Sequence, residues 1–340
     1  MSLSNHGLAS GLFFFEHIAK TAGTSWSQDI ARTGLLKHCG TSHLVGPGSV
    51  QTLNATLATA ALTTSGLIGS GSRACNLLNR EDVLATSLRV FAWAGRLEPQ
   101  IILLLRQPVT HVRSMYSHCQ SPTGFLRRQR EAAGTFRPIG FAAWLRLFDG
   151  SSSNGSQGGG SGGGGGDGGG WRVGWPYCYY NPANYQSHLL AAPAGADANR
   201  DDIFAGGRLR IPAPSLTRLR DLVQRTAYFV GVTEHYAASL CLLKAKLRGF
   251  YYSAPSGGGG DALMTRRQRE QAACSAEALR TMSRTDYGNQ AGATSALMTE
   301  EVLARIEALT QVDQLAYAFA LERLFREAEQ AGASLWSRVR

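Results

Sequence analysis

The stretch 13-FFFEHIAKTAGTSW-26 decides how the rest of the chain is read. A short aromatic run ends in a polar turn of small residues, and a hydroxyl-rich segment follows. The run 12-LFFFEHI-18 predicts a buried β-strand, and Ser25 to Gly34 predicts a helix entered at Gly23 and Thr24. The first N–H groups of such a helix have no intrahelical acceptor and lie at the positive end of its dipole, so the turn in front of them favours an anion. Lys20 adds a cation, Thr24 and Ser25 add hydroxyl donors, and the small Ala22 and Gly23 let the backbone approach closely. The order differs from a nucleotide P-loop, where glycines come first and Gly-Lys-Ser/Thr opens the helix. Here the lysine precedes the glycine. An ordinary helix cap beside an exposed lysine would read the same way, so the loop alone does not name its ligand.

A second stretch narrows the choice. Residues 100-QIILLLR-106 form a continuous apolar run between Pro99 and Pro108, which predicts a central parallel strand buried on both faces. Pro108 suits the first turn of a helix carrying 109-VTHVRSMYSHC-119. Arg106 then stands at the carboxyl end of a strand, where open α/β sheets bind their ligands, and Ser114 follows two helical turns on. A ligand with two separated anionic groups would engage both the Lys20 loop and the Arg106–Ser114 pair. A salt bridge between structural elements is the alternative role for Arg106.

The remaining pattern predicts the fold class. A short strand within 73-RACNLL-78 and a helix over 81-EDVLATSLRVFAWAG-95 precede the central strand. A helix over 215–225, a strand over 226–234, an amphipathic helix over 235–249 and one or two helices over 297–332 follow it. Repeated strand–turn–helix units predict an α/β fold, a central parallel sheet flanked by helices. The segment from about 38 to 72 is ambiguous. Residues 151–170, SSSNGSQGGGSGGGGGDGGG, cannot bury surface and read as a flexible insert. Aromatic patterning resumes in 171-WRVGWPYCYYNPANYQSHLL-190, so one domain over 12–335 is expected, interrupted by that insert.

A hydrophobic content of 44% supports a sizeable core, and a net charge of +10 favours anionic partners without choosing among them. No Cys-x-x-Cys occurs among the six cysteines, which argues against a zinc or thioredoxin-type site. Asn54 and Asn154 open glycosylation sequons. No run is long and apolar enough to predict a membrane span.

HIAKTAGTS, at 17–25, resembles the 5′-phosphosulfate loop of the PAPS-dependent sulfotransferases, written HIPKTGGTS in that family. LRQPVTHVRSMYSH, at 105–118, is similar to their 3′-phosphate motif, LRDPVERLLSAYSH. The segments 229-FVGVTEHYAASLCLLKAKL-247 and 181-NPANYQSHLL-190 resemble the family's late Gly-x-Thr-Glu segment and its mid-domain Asn-x-Gln segment. The likeness covers roughly residues 12–250 and is nearest the carbohydrate, Golgi-type branch that includes heparan sulfate 2-O-sulfotransferases and related algal proteins. It implies a P-loop-like sulfotransferase fold, and transfer of a sulfuryl group from PAPS to an acceptor hydroxyl, with PAP as product and no metal. The acceptor would be a glycan or another hydroxyl compound, not a nucleic acid.

By the same resemblance, Lys20 stabilises the leaving oxygen. Lys20, Thr21, Ala22, Gly23, Thr24, Ser25 and Trp26 hold the 5′ side, and Arg106 and Ser114 hold the 3′-phosphate. Ala22 replaces a glycine of the pattern, Ala19 a proline, Gln107 an aspartate and His111 an arginine; small size at 19 and 22 predicts tolerance, and Arg113 offers a replacement charge. The general base lies, in that branch, between the two motifs. Glu81 is the first candidate and His43 the second, with His17 and His118 behind them, although Glu81 also suits the first turn of a helix. The alternatives are a P-loop-like nucleotide kinase and a catalytically degenerate sulfotransferase fold that binds glycans. A Golgi lumen is the expected location, and its targeting segment would then be missing from the chain as given.

Overall fold

A computed structural model describes residues 12–32, 35–38, 77–80, 83–85, 87–88, 99–120, 131, 139–146, 148, 180–192, 214–252 and 298–330. Among them are four strands, β1 (Phe13–Glu16), β2 (Leu77–Arg80), β3 (Gln100–Leu105) and β4 (Phe229–Val232). All pairings are parallel and the spatial order is β2-β1-β3-β4. The chain thus steps from β1 to one side, then back across β1 to β3 and β4 on the other. The order reverses between β1 and β3, and an open parallel sheet has its ligand crevice beyond the carboxyl ends at that point.

The composition of the two inner strands follows from their place. Phe13, Phe14 and Phe15 are fully buried, as are Ile102 to Leu105, because helices cover both faces of the sheet. This explains why neither strand alternates polar with apolar residues. The polar interruption comes where each strand ends, at Glu16–His17 in one and Arg106–Gln107 in the other.

Among the described residues the α-helices are α1 (Gly23–Arg32), α2 (Pro108–Gln120), α3 (Phe141–Arg146), α4 (Tyr185–Ala191), α5 (Leu216–Asp221), α6 (Tyr236–Tyr252), α7 (Glu300–Leu309) and α8 (Gln311–Gln330). A π-helical turn, Leu222–Thr226, continues α5 toward β4. Both α6 and α8 pack on β4, and α8 also packs on α4. The apolar stripe of α8 carries one buried cation, Arg323. It donates to the carbonyls of Val223, Ala227 and Tyr228 at 2.7, 2.6 and 3.1 Å, satisfying the acceptors exposed where the π-helical turn ends.

The four expected strands and the helices expected after the first and third strands and toward the C-terminus are present, with shifted bounds, while most of the helix expected over 81–95 lies outside the described residues. The first strand is shorter than 12–18, the first helix starts at Gly23 rather than Ser25, and the second strand begins at Leu77 rather than near Arg73. The Gly/Ser insert at 151–170 and most of the segment from 38 to 72 lie outside the described residues, as do Glu81 and His43.

Two helix ends cap each other. Asn184, with φ 48°, offers its side-chain oxygen to the N–H groups of Val312 and Asp313 at 2.8 and 3.3 Å, the first turn of α8. Asp313 returns its carboxylate to the N–H groups of Gln186 and Ser187 at 3.2 and 2.7 Å, the first turn of α4. Burial pushes the Asp313 carboxyl up to about 6, while the hydrogen bonds from Ser187 and Gln186 pull it the other way. The folded chain therefore holds this proton between pH 3.8 and about 6, where the unfolded chain has lost it. Its stabilising effect is present at low pH and is lost as pH rises through that window, by about 3 kcal/mol in total. Urea unfolding should show wild type losing stability relative to Asp313→Asn, which cannot ionise, as pH rises from 4 to 7.

Candidate functional site

The turn after β1 is built from strained backbone. Lys20 and Ala22 both lie in the left-handed region, with φ 67° and 62°. Thr21 between them is buried, and its hydroxyl and N–H both donate to the Ile18 carbonyl, at 2.8 and 3.3 Å. This folds the turn tightly enough to start α1 at once. The Trp26 N–H is already donated to the Ala22 carbonyl at 3.0 Å. The amides left to face an anion are those of Gly23, Thr24 and Ser25. The Trp26 indole is fully buried, stacked on Phe229 and edge-on to Tyr236, so this residue anchors α1 in the core.

Two substitutions in the turn have opposite expected effects. A Cβ on Gly23 would fall onto the His17 imidazole, which is itself stacked on Phe15. Gly23→Ala should therefore cost about 2 kcal/mol by overpacking, seen as a lowered Tm. Ala22 occupies a conformation that glycine adopts freely and alanine does not. Its small size is tolerated, but the backbone is strained, a difference that side-chain volume does not reveal. Ala22→Gly should raise stability by about 0.5 kcal/mol, the relieved strain being partly offset by the greater freedom of the unfolded glycine.

Arg106 leaves β3 directly beside this turn. Its backbone is clasped at two points by Gln186 of α4: the Arg106 N–H donates to Gln186 Oε1 at 2.9 Å, and Gln186 Nε2 donates to the Arg106 carbonyl at 2.8 Å. Its guanidinium donates from Nη1 to the Lys20 carbonyl at 3.0 Å and from Nε to Thr110 Oγ1 at 3.2 Å. Glu234 lies 3.9 Å from Nε. Nη2 has no acceptor among the described residues. Burial lowers the Arg106 pKa, Glu234 raises it and the neighbouring Arg113 lowers it.

Helix α2 presents the rest of the site. Gln107 caps it, its Oε1 accepting from the Thr110 N–H at 2.8 Å, which is the work an aspartate does at such a position. His111 is buried and lies 2.7 Å from the Ala19 carbonyl through Nε2. Burial holds this imidazole down at about 3, with Arg106 and Lys20 adding to the depression against the Ala19 hydrogen bond, so it is neutral and donates to that carbonyl. Ser114 and His118 lie three and seven residues further on, on the same face of the helix. The Ser114 hydroxyl has no hydrogen-bond partner among the described residues. His118 packs against Tyr180 and is held down at about 4 by burial and by the charge of Lys20. Lys20 is thus electrostatically coupled to both histidines.

Of the residues expected from sequence, the structure brings together the Lys20 turn and Arg106 by direct contact. Ser114 and His118 stand on the face of α2 that His111 turns to that turn. At the carboxyl end of β2 the described polar residue is Asn79, which donates to Ser27 Oγ at 3.0 Å. Gln186, Glu234 and Tyr317 are additions that sequence reading did not assign to the site. Comparison with protein-family models, curated proteins and solved structures finds no match to this chain.

Proposed function

We propose that this chain is a sulfotransferase of P-loop-like fold, moving a sulfuryl group from PAPS to an acceptor hydroxyl on a carbohydrate. The observation that carries the reading is the 3.0 Å hydrogen bond from Arg106 Nη1 to the Lys20 carbonyl, at the switch point of the sheet. It puts an anion-ready turn and a strand-end arginine side by side, as a ligand with two anionic groups requires. The residues present fit such a ligand. The first amides of α1, at Gly23, Thr24 and Ser25, have no intrahelical acceptor, and Arg106 Nη2 and the Ser114 hydroxyl retain unused donors among the described residues.

PAPS would supply an activated sulfuryl group, whose transfer resembles phosphoryl transfer in placing most of the burden on positioning and charge stabilisation. Lys20 would neutralise charge on the leaving oxygen. The amides of Gly23, Thr24 and Ser25 would hold the 5′ side, and Arg106 Nη2 with Ser114 the 3′-phosphate. His111 stays neutral and braces the turn through Ala19. Glu81 and His43, first choices for the base, lie outside the described residues. His118 stands unprotonated at neutral pH on this face of α2, and the burial that keeps it so also weakens it as a base.

Cys241 on α6 is in a disulfide whose other half lies outside the described side chains. That bond suits an oxidising lumen such as the Golgi. No described helix is long and apolar enough to cross a membrane. The test is a transfer assay with radiolabelled PAPS against panels of glycans, small phenols and tyrosyl peptides. Label on a glycan is the expected result; label on none of the panels would count against the activity.

A further inference from the structure

One turn touches both halves of the anion site. Thr233, directly after β4, places its hydroxyl 2.9 Å from the Thr21 carbonyl in the first turn and 3.1 Å from the Leu105 carbonyl at the end of β3. The next residue, Glu234, gathers the second half. Its Oε2 accepts from the Gln107 N–H at 3.1 Å, its Oε1 accepts from Thr110 Oγ1 at 2.8 Å, and Oε1 stands 3.9 Å from Arg106 Nε. The Tyr317 hydroxyl of α8 hydrogen-bonds the same carboxylate, and burial and that negative charge push the phenol well above its usual range.

An acidic side chain beside an anion site has two opposing effects. Its charge repels the ligand, and its hydrogen bonds hold the site's donors in place. Here the carboxylate already receives three neutral donors and sits at the long end of ion-pair distance from Arg106, so much of its field is neutralised locally. Its hold on Arg106 is directional: with Nε turned to Thr110 and Glu234, and Nη1 to the Lys20 carbonyl, the edge bearing Nη2 is the one left over. Glu234 also offsets the mutual repulsion of Arg106 and Arg113, which lowers the pKa of the former. Positioning therefore outweighs repulsion.

We infer that the Thr233–Glu234 turn sets the ligand preference of the site. It fixes the spacing between the Lys20 turn and Arg106, and so favours a nucleotide carrying anionic groups on both its 3′ and 5′ positions over one with a 5′ group alone. Glu234 and Thr233 are positioning residues in this account. The inference rests on the sulfotransferase reading, and its test separates the two.

The experiment is calorimetric titration of the full chain with PAP and, separately, with 5′-AMP. Wild type should prefer PAP. Glu234→Ala should weaken PAP about tenfold and 5′-AMP less than about twofold, while Glu234→Gln, which keeps one acceptor oxygen for the Gln107 N–H and turns its amide nitrogen to Thr110 Oγ1 as a donor, should recover part of the loss. Thr233→Val should narrow the same ratio. Because the two ligands are compared on one variant, partial unfolding cancels from the ratio. Equal losses for both ligands would reduce the turn to a structural brace and overturn the inference. A gain in PAP affinity in Glu234→Ala would make Glu234 a competitor of the phosphate and also overturn it. A wild type that binds PAP no better than 5′-AMP contradicts the inference, and one that binds neither removes the sulfotransferase reading with it.

Discussion

Lys20→Ala is expected to lower kcat by about a hundredfold or more, the usual loss when a preorganised charge-stabilising donor is removed. PAP binding should change by less than about threefold, because the amides of Gly23 to Ser25 and the guanidinium of Arg106 remain. The reason lies in the backbone. Lys20 contributes to the fold of the site through its carbonyl, which accepts from Arg106, and that carbonyl survives the substitution. The charge of the side chain is felt at His111 and His118. The left-handed φ of 67° is as awkward for alanine as for lysine, so the change should not relax the turn. The decisive measurement is the split between turnover and affinity; a large loss of PAP affinity with kcat intact would reverse the assignment.

Arg106→Ala should act in the opposite way. Truncating one partner of a partly buried, hydrogen-bonded charge site is expected to cost 2 kcal/mol or more, which is about thirtyfold in affinity for PAP. KM for PAPS should rise more than kcat falls. The change also removes the Nη1 tie to the Lys20 carbonyl and leaves Glu234 without its guanidinium, so a lowered Tm is expected as well. Arg106→Lys should not rescue binding, since a point charge cannot serve Thr110, the Lys20 carbonyl and a phosphate at once. Comparing PAP with 5′-AMP isolates the phosphate term from the stability term: loss confined to PAP supports the role, and equal loss for both contradicts it.

The parts of this arrangement legible in the sequence are those set by local rules. An aromatic strand ending in small residues, an apolar run bounded by prolines and an arginine at its end are each readable within about ten positions, and they place β1, β3 and both halves of the site. What holds those halves together was not legible, because it is made of distant contacts. Gln186 clasps the Arg106 backbone across 80 residues, and Glu234 reaches Gln107 across 127. Both residues fall in segments that resemble family motifs, but a glutamine in a helix and a glutamate after a strand do not show which distant backbone groups they will meet. The strain at Ala22 was hidden for another reason: composition shows that the residue is small, and only the φ value shows that the position suits glycine.

The most direct measurement of the central claim is the thermal response of the unmodified chain to PAP in magnesium-free buffer, with ATP as the comparison. Ligand bound only by the folded chain raises Tm by mass action, by about 2.7 kcal/mol of stability at a hundred times Kd. A two-anion site made by the Lys20 turn and Arg106 predicts a clear rise with PAP and a much smaller one with ATP. A flat response to PAP would contradict the account.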